Sequence, residues 1–77
     1  MPTYDVTPGQ RLDMDTRFTY HAPKPGQPER YSDLRSKAKE MAVRILEETP
    51  VGREQALSLT KLEECVFWAN AAIARKE

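Results

Sequence analysis

Cysteine, histidine and glycine are scarce in this 77-residue chain, and each scarcity removes a class of function. A single cysteine, Cys65, rules out an intramolecular disulfide, and a lone thiol fits a reducing cytoplasm. One histidine, His21, beside one cysteine is too small a ligand set for a structural zinc site, so neither a metal nor a cofactor is expected. The three glycines, Gly9, Gly26 and Gly52, are scattered and build no phosphate-cradling loop. Net charge is missing too. Twelve Lys and Arg balance twelve Asp and Glu, which disfavours a general DNA or RNA binder. The opening MPTYDVTPGQRLDMD has no apolar run like that of a signal peptide. No stretch reaches the roughly 18 apolar residues that a membrane span requires. The plain expectation is a soluble cytoplasmic protein.

Catalytic groups are equally sparse. His21 has no neighbouring Ser or Cys with which to form a nucleophile pair. Cys65 sits in an apolar stretch, where a free cysteine is usually a small core hydrophobe. Glu63 and Glu64 are adjacent and so diverge on a helix, which leaves them unsuited to acid–base work. The chain reads as a non-enzyme with no catalytic residues.

What remains is helical. Five of the six prolines and two of the three glycines lie in residues 1–28, a composition that suggests mostly irregular structure; residues 1–16 are expected as an irregular leader. Within that region RFTYH (17–21) is an aromatic island compatible with a strand or a helical turn. A helix should begin near Pro28, because proline suits the first helical position and Glu29 favours the positive end of the dipole. Tyr31, Leu34, Ala38, Met41 and Ile45, with Ala42 and Leu46 beside them, form an apolar stripe at spacings of 3 and 4. Asp33–Lys37 and Glu40–Arg44 are i,i+4 pairs suited to its wet face. Pro50 stops this helix, and a second starts near Gly52 or Arg53 with Leu59, Leu62, Val66, Ala69 and Ile73 at the same spacing. So short a connection requires an antiparallel hairpin, and the fold class is all-α.

From Cys65 to Ala74 the pattern turns apolar all round, broken only by Asn70. One partner helix covers one face, so Phe67, Trp68 and Ala72 must meet the leader or another subunit. A chain this short also gains little from its own core, which points to a homo-oligomer. One cluster suggests a ligand. Phe18, Tyr20, His21 and Tyr31 lie in sequence near Arg17, Lys24, Arg30, Arg35 and Lys37. Flat rings stack on bases and cations meet phosphates. Spacing alone favours the plainer reading, in which Phe18 and Tyr20 merely staple the leader onto the hairpin and the charges are solvated.

Three stretches give this pattern a family. RFTYHAP (17–23), ERYSDLRSKAKEMA (29–42) and REQALSLTKLEECVFWANAAIARKE (53–77) resemble the hairpin domain of phage cyclic-nucleotide sponges, the anti-CBASS proteins and the related anti-Thoeris sponges. LTKLEE followed by WANAAIAR is the most specific part, and the leader 1–16 lies outside the resemblance. The resemblance implies a cyclic-nucleotide-binding hairpin domain over 17–77, assembled as a homohexamer. It implies sequestration, without cleavage, of cyclic dinucleotides in pockets shared by two protomers, and in some members of cyclic trinucleotides where three protomers meet. The setting would be immune evasion by a bacteriophage in the cytoplasm of the infected host. Carried over by residue, Tyr20 would stack on a base, Arg35 or Lys37 would hold the phosphates, and His21 and Tyr31 would line the pocket. Asn70 and Arg75 would serve the three-fold site. Gly52 stands where the pattern usually has a serine cap, an exchange worth only a few tenths of a kcal/mol. The competing reading is a helical protein–protein adaptor or inhibitor hairpin with no small-molecule ligand.

Overall fold

The computed structural model describes residues 3–77. Three helices follow in order: α1 (Pro8–Phe18), α2 (Gln27–Glu48) and α3 (Arg53–Lys76). No strand occurs among the described residues.

α1 corrects the expectation of an irregular leader. Met1 and Pro2 lie outside the described residues, but from Pro8 onward the segment is helical, and α1 crosses the expected boundary between residues 16 and 17. The local cause is a complete capping box. The Thr7 hydroxyl accepts from the Gln10 N–H at 3.1 Å while the Gln10 side chain accepts from the Thr7 N–H at 3.0 Å. These bonds satisfy amides that the first turn would otherwise leave unpaired. Pro8 sits at the helix start, where its missing N–H costs nothing. One turn before the end, Asp13 pairs with Arg17 at 3.0 Å. Proline-rich composition thus marks a helix start here rather than an absence of helix. Phe18 ends the helix, and Thr19 is already extended, so the aromatic island is split between a helix end and a loop.

α2 and α3 are the expected hairpin. Gln27 at the start of α2 reaches the Ile73 carbonyl (3.5 Å) and the Glu77 carboxylate (3.3 Å) at the far end of α3, which makes the pair antiparallel. Thr49 closes α2 by donating from its N–H (3.1 Å) and hydroxyl (2.6 Å) to the Ile45 carbonyl, just before Pro50. Gln55 on α3 then donates to the Thr49 carbonyl at 3.0 Å and stitches the turn. Tyr31, Leu34, Ala38, Ala42 and Ile45 face Leu59, Leu62, Val66, Ala69 and Ile73, and all ten are half-buried. Met41 and Leu46 lie farther out on the stripe and are about half exposed, at 52% and 53%. On the wet face the ion pairs are Lys37–Glu40 (4.0 Å) and Arg44–Glu48 (3.2 Å) rather than the i,i+4 pairs expected from the sequence.

The result is a plate, 52 × 37 × 13 Å, one helix thick. Its radius of gyration, 17.5 Å, far exceeds the roughly 11–12 Å of a compact domain of this length. No apolar side chain is fully buried among the described residues. Cys65 is exposed, contrary to the expectation of a core cysteine: it stands at the margin of the Leu62–Val66–Ala69 stripe, and no other element covers it among the described residues. Phe67 and Trp68 each remain 62% exposed, so the N-terminal segment, although it comes beside both, leaves much of the apolar block open.

Candidate functional site

The one buried residue among the described residues is polar. Gln27 is 3% exposed and anchors a cluster that ties the entry of α2 to the end of α3. Its side-chain oxygen accepts from the Lys24 N–H (2.9 Å) while its amide donates toward Ile73 and Glu77. Arg30, one turn into α2, grips the Glu77 carboxylate with both guanidinium nitrogens, one of them at 2.8 Å, and the Lys24 ammonium donates to the Glu77 carbonyl. The hydrogen bonds from Arg30 and then Gln27, aided by the charges of Arg30 and Lys24, hold the Glu77 carboxyl down at about 2, and the Arg30 guanidinium is raised in turn. Gly26, at φ 84°, makes the left-handed turn that delivers Gln27 into this position.

This clasp fixes what stands next to it. Tyr31 and Arg35 follow Arg30 on α2, and Arg75 precedes Glu77 on α3. Together they border an open concavity of about 450 Å3. His21 enters from the α1–α2 loop, Asn70 and Phe67 from α3, and Arg17 from the end of α1. The His21 ring is held by an Nε2–H donated to the Thr16 carbonyl at 2.8 Å; a carbonyl only accepts, so that nitrogen carries the proton. Asn70 Oδ1 is buried without a hydrogen-bond partner.

Of the seven residues singled out from the sequence, five converge here: His21, Tyr31, Arg35, Asn70 and Arg75. Residues expected for a dinucleotide site and for a trinucleotide site thus line one concavity of a single chain. Tyr20 and Lys37 do not join them. Tyr20 is 83% exposed outside the concavity, and Lys37 lies on the outer face near Glu40. Arg17 and Phe67 also line the concavity and are not among those seven; Arg17 belongs to the aromatic–basic cluster of the sequence, whereas Phe67 reads there only as part of the apolar block.

The lining chemistry is cationic and aromatic, with three guanidinium groups, the rings of Tyr31, Phe67 and His21, and no carboxylate. Guanidinium forks match phosphate oxygens and flat rings match bases. Arg35 and Arg75 have no ion-pair partner within 4.0 Å among the described residues. No group of three or more His, Cys, Asp or Glu that could hold a metal occurs among the described residues. A second, more apolar groove of about 600 Å3 runs along the hairpin between Ala42 and Leu46 on α2 and Leu59, Leu62 and Val66 on α3. Arg35, Phe67 and Asn70 stand on the boundary between the two.

The family model described as Acb2/Tad1, hairpin domain, matches residues 11–74. The match takes in most of α1, all of α2 and nearly all of α3. No curated protein and no solved structure gives a significant match. No helix among the described residues is long and apolar enough to cross a membrane.

Proposed function

This chain belongs to the Acb2/Tad1 hairpin family, and we propose that it binds cyclic oligonucleotide second messengers and sequesters them without cleavage. Members of the family are phage anti-defence sponges, binding proteins rather than enzymes. The protein would act in the cytoplasm of an infected bacterium and blunt CBASS-type signalling by lowering the free messenger below what the host effector needs. Cyclic dinucleotides are the first candidates, cyclic trinucleotides the second. The working form would be a homo-oligomer, a hexamer by the family pattern.

One observation supports this reading above the others: a carboxylate-free concavity where Arg35 and Arg75 meet the rings of Tyr31 and His21. Arg35 takes the phosphate role in preference to Lys37, which lies outside that concavity. Tyr31 and His21 offer stacking or edge contacts to a base, and Asn70 brings an amide with an unused acceptor. Tyr20, on the outside of the protomer, would reach a ligand held between two chains. A dinucleotide with two bases and two phosphates suits such a symmetric pocket, because each chain gives each half the same residues.

Calorimetric titration against a panel of cyclic di- and trinucleotides tests the proposal. Tight binding of at least one member is expected, followed by recovery of the intact cyclic ligand after heat denaturation and chromatography. Recovery of linear nucleotide would reveal catalysis and refute sequestration. A stable oligomer with no affinity for any panel member would favour the adaptor reading, for which the exposed Phe67 and Trp68 supply a surface.

A further inference from the structure

Of the two arginines of α1, Arg17 borders the concavity, and it has no role in the reading above. Arg17 stands on the ridge between the 450 Å3 concavity and a smaller one of about 320 Å3, and Arg75 borders both. Its guanidinium is about half exposed and touches Asp13, one turn back on the same helix, at 3.0 Å. An exposed pair of this kind is weak and easily screened. On the concavity side Arg17 meets two further guanidinium groups, Arg35 and Arg75, and no carboxylate. Three like charges facing one space repel one another, and an anion placed among them relieves that repulsion. A guanidinium fork also pairs two phosphate oxygens at once, a better match than a single-oxygen contact with Asp13.

We infer that Arg17 is a third anion-contacting residue of this site, carried there by α1, and that it leaves Asp13 to pair with a ligand phosphodiester. α1 is then part of the binding site and not a packing appendage. Its capping box and the Thr16–His21 bond serve to aim Arg17 and His21 together from one short element. The inference rests on the ligand reading above and adds a specificity for phosphate that the rings alone do not supply.

The test uses the full chain with cyclic di-AMP and cyclic GMP–AMP as probes. Arg17→Ala should weaken the tighter of the two by about tenfold, in the range of a lost charge-assisted hydrogen bond near the surface. It should also flatten the dependence of affinity on salt, since one phosphate contact is gone. Arg17→Lys should lie between the two. Asp13→Asn breaks the same ion pair and so carries the same cost to α1, yet it should bind at least as tightly as the parent, because Arg17 no longer has a competing partner. The inference is overturned if Arg17→Ala stays within about twofold of the parent with unchanged salt dependence. It is also overturned if Asp13→Asn loses as much as Arg17→Ala, for then only the helix matters. A parent that binds neither these probes nor the rest of the panel removes the ligand reading itself, so the two failures are distinguishable.

Discussion

Trp68 is the only tryptophan, and the structure leaves it 62% exposed on a plate one helix thick. If the apolar block of α3 is covered by other copies of the chain, Trp68→Ser should dissociate the assembly. Of a tryptophan's roughly 250 Å2, the exposed share comes to about 150 Å2. Covering it fully is worth about 4 kcal/mol per protomer at about 25 cal/mol per Å2, an upper bound because coverage is rarely complete. That corresponds to nearly three decades in an association constant for each protomer. Sedimentation velocity across a dilution series should therefore show a large oligomer for the parent and small species for Trp68→Ser at the same concentration. The indole is its own reporter. Parent emission should be blue-shifted when assembled and move to the red on dilution through the dissociation midpoint. Water-exposed emission from the parent at every concentration, with an unchanged oligomer in Trp68→Ser, would refute the idea that this face is an interface.

Other consequences follow from the clasp and the concavity. Because the Glu77 carboxyl is held at about 2 against an ordinary 4.5, its contribution to stability is full above 4.5 and fades as pH falls toward 2. Urea midpoints for the parent and Glu77→Gln should thus differ at pH 7 and converge in acid, and a constant difference across that window would mean the carboxylate is not engaged. Gly26→Ala should lower stability by about 1–2 kcal/mol, measured by denaturant unfolding, from backbone strain alone; φ there is 84° and an added Cβ meets nothing within 4 Å. Arg35→Ala should weaken cyclic dinucleotide binding by more than about tenfold, while Lys37→Ala should have a smaller effect in the same titration; equal losses would place the phosphate outside the concavity.

How much of this was legible in the sequence depends on the range of the interaction responsible. The hairpin was readable because its signal is local and repeated: apolar residues at spacings of 3 and 4 on two segments, with Pro50 between them. α1 is less legible, because its proline and glycine content argues against a helix. Its cap, Thr7 with Gln10 three residues later and Pro8 at the helix start, was present in the sequence and outweighs composition once both bonds form. The clasp had no such signal. Gln27 and Arg30 meet Glu77 across some fifty positions, and only the register of α2 against α3 brings them together.

The candidate site mixes both cases. Tyr31 and Arg35, four apart within α2, share one side of that helix, and the hairpin register adds Asn70 and Arg75; His21 lies beyond the end of α1 and joins Arg17 only because its ring turns back to Thr16. The two residues that stay outside have a geometric reason. Lys37 is two positions from Arg35, a rotation of about 200° around the helix, so the two cannot serve one pocket of one chain. Tyr20 adjoins His21 beyond the end of α1, where successive side chains diverge, and it stands 83% exposed while His21 turns back to Thr16. A pocket completed by a second chain needs an aromatic group that one chain presents outward, and Tyr20 has that position. The discriminating substitution is therefore Tyr20→Ala. It should leave the intramolecular geometry of His21, Tyr31 and Arg35 untouched, and it should weaken binding by about 2–6 kcal/mol if two chains each stack one tyrosine on one base. Titration of Tyr20→Ala with the best cyclic dinucleotide decides the matter: parent-like affinity would confine the ligand to the single-chain concavity, and a loss on that scale would require the pocket to span two chains.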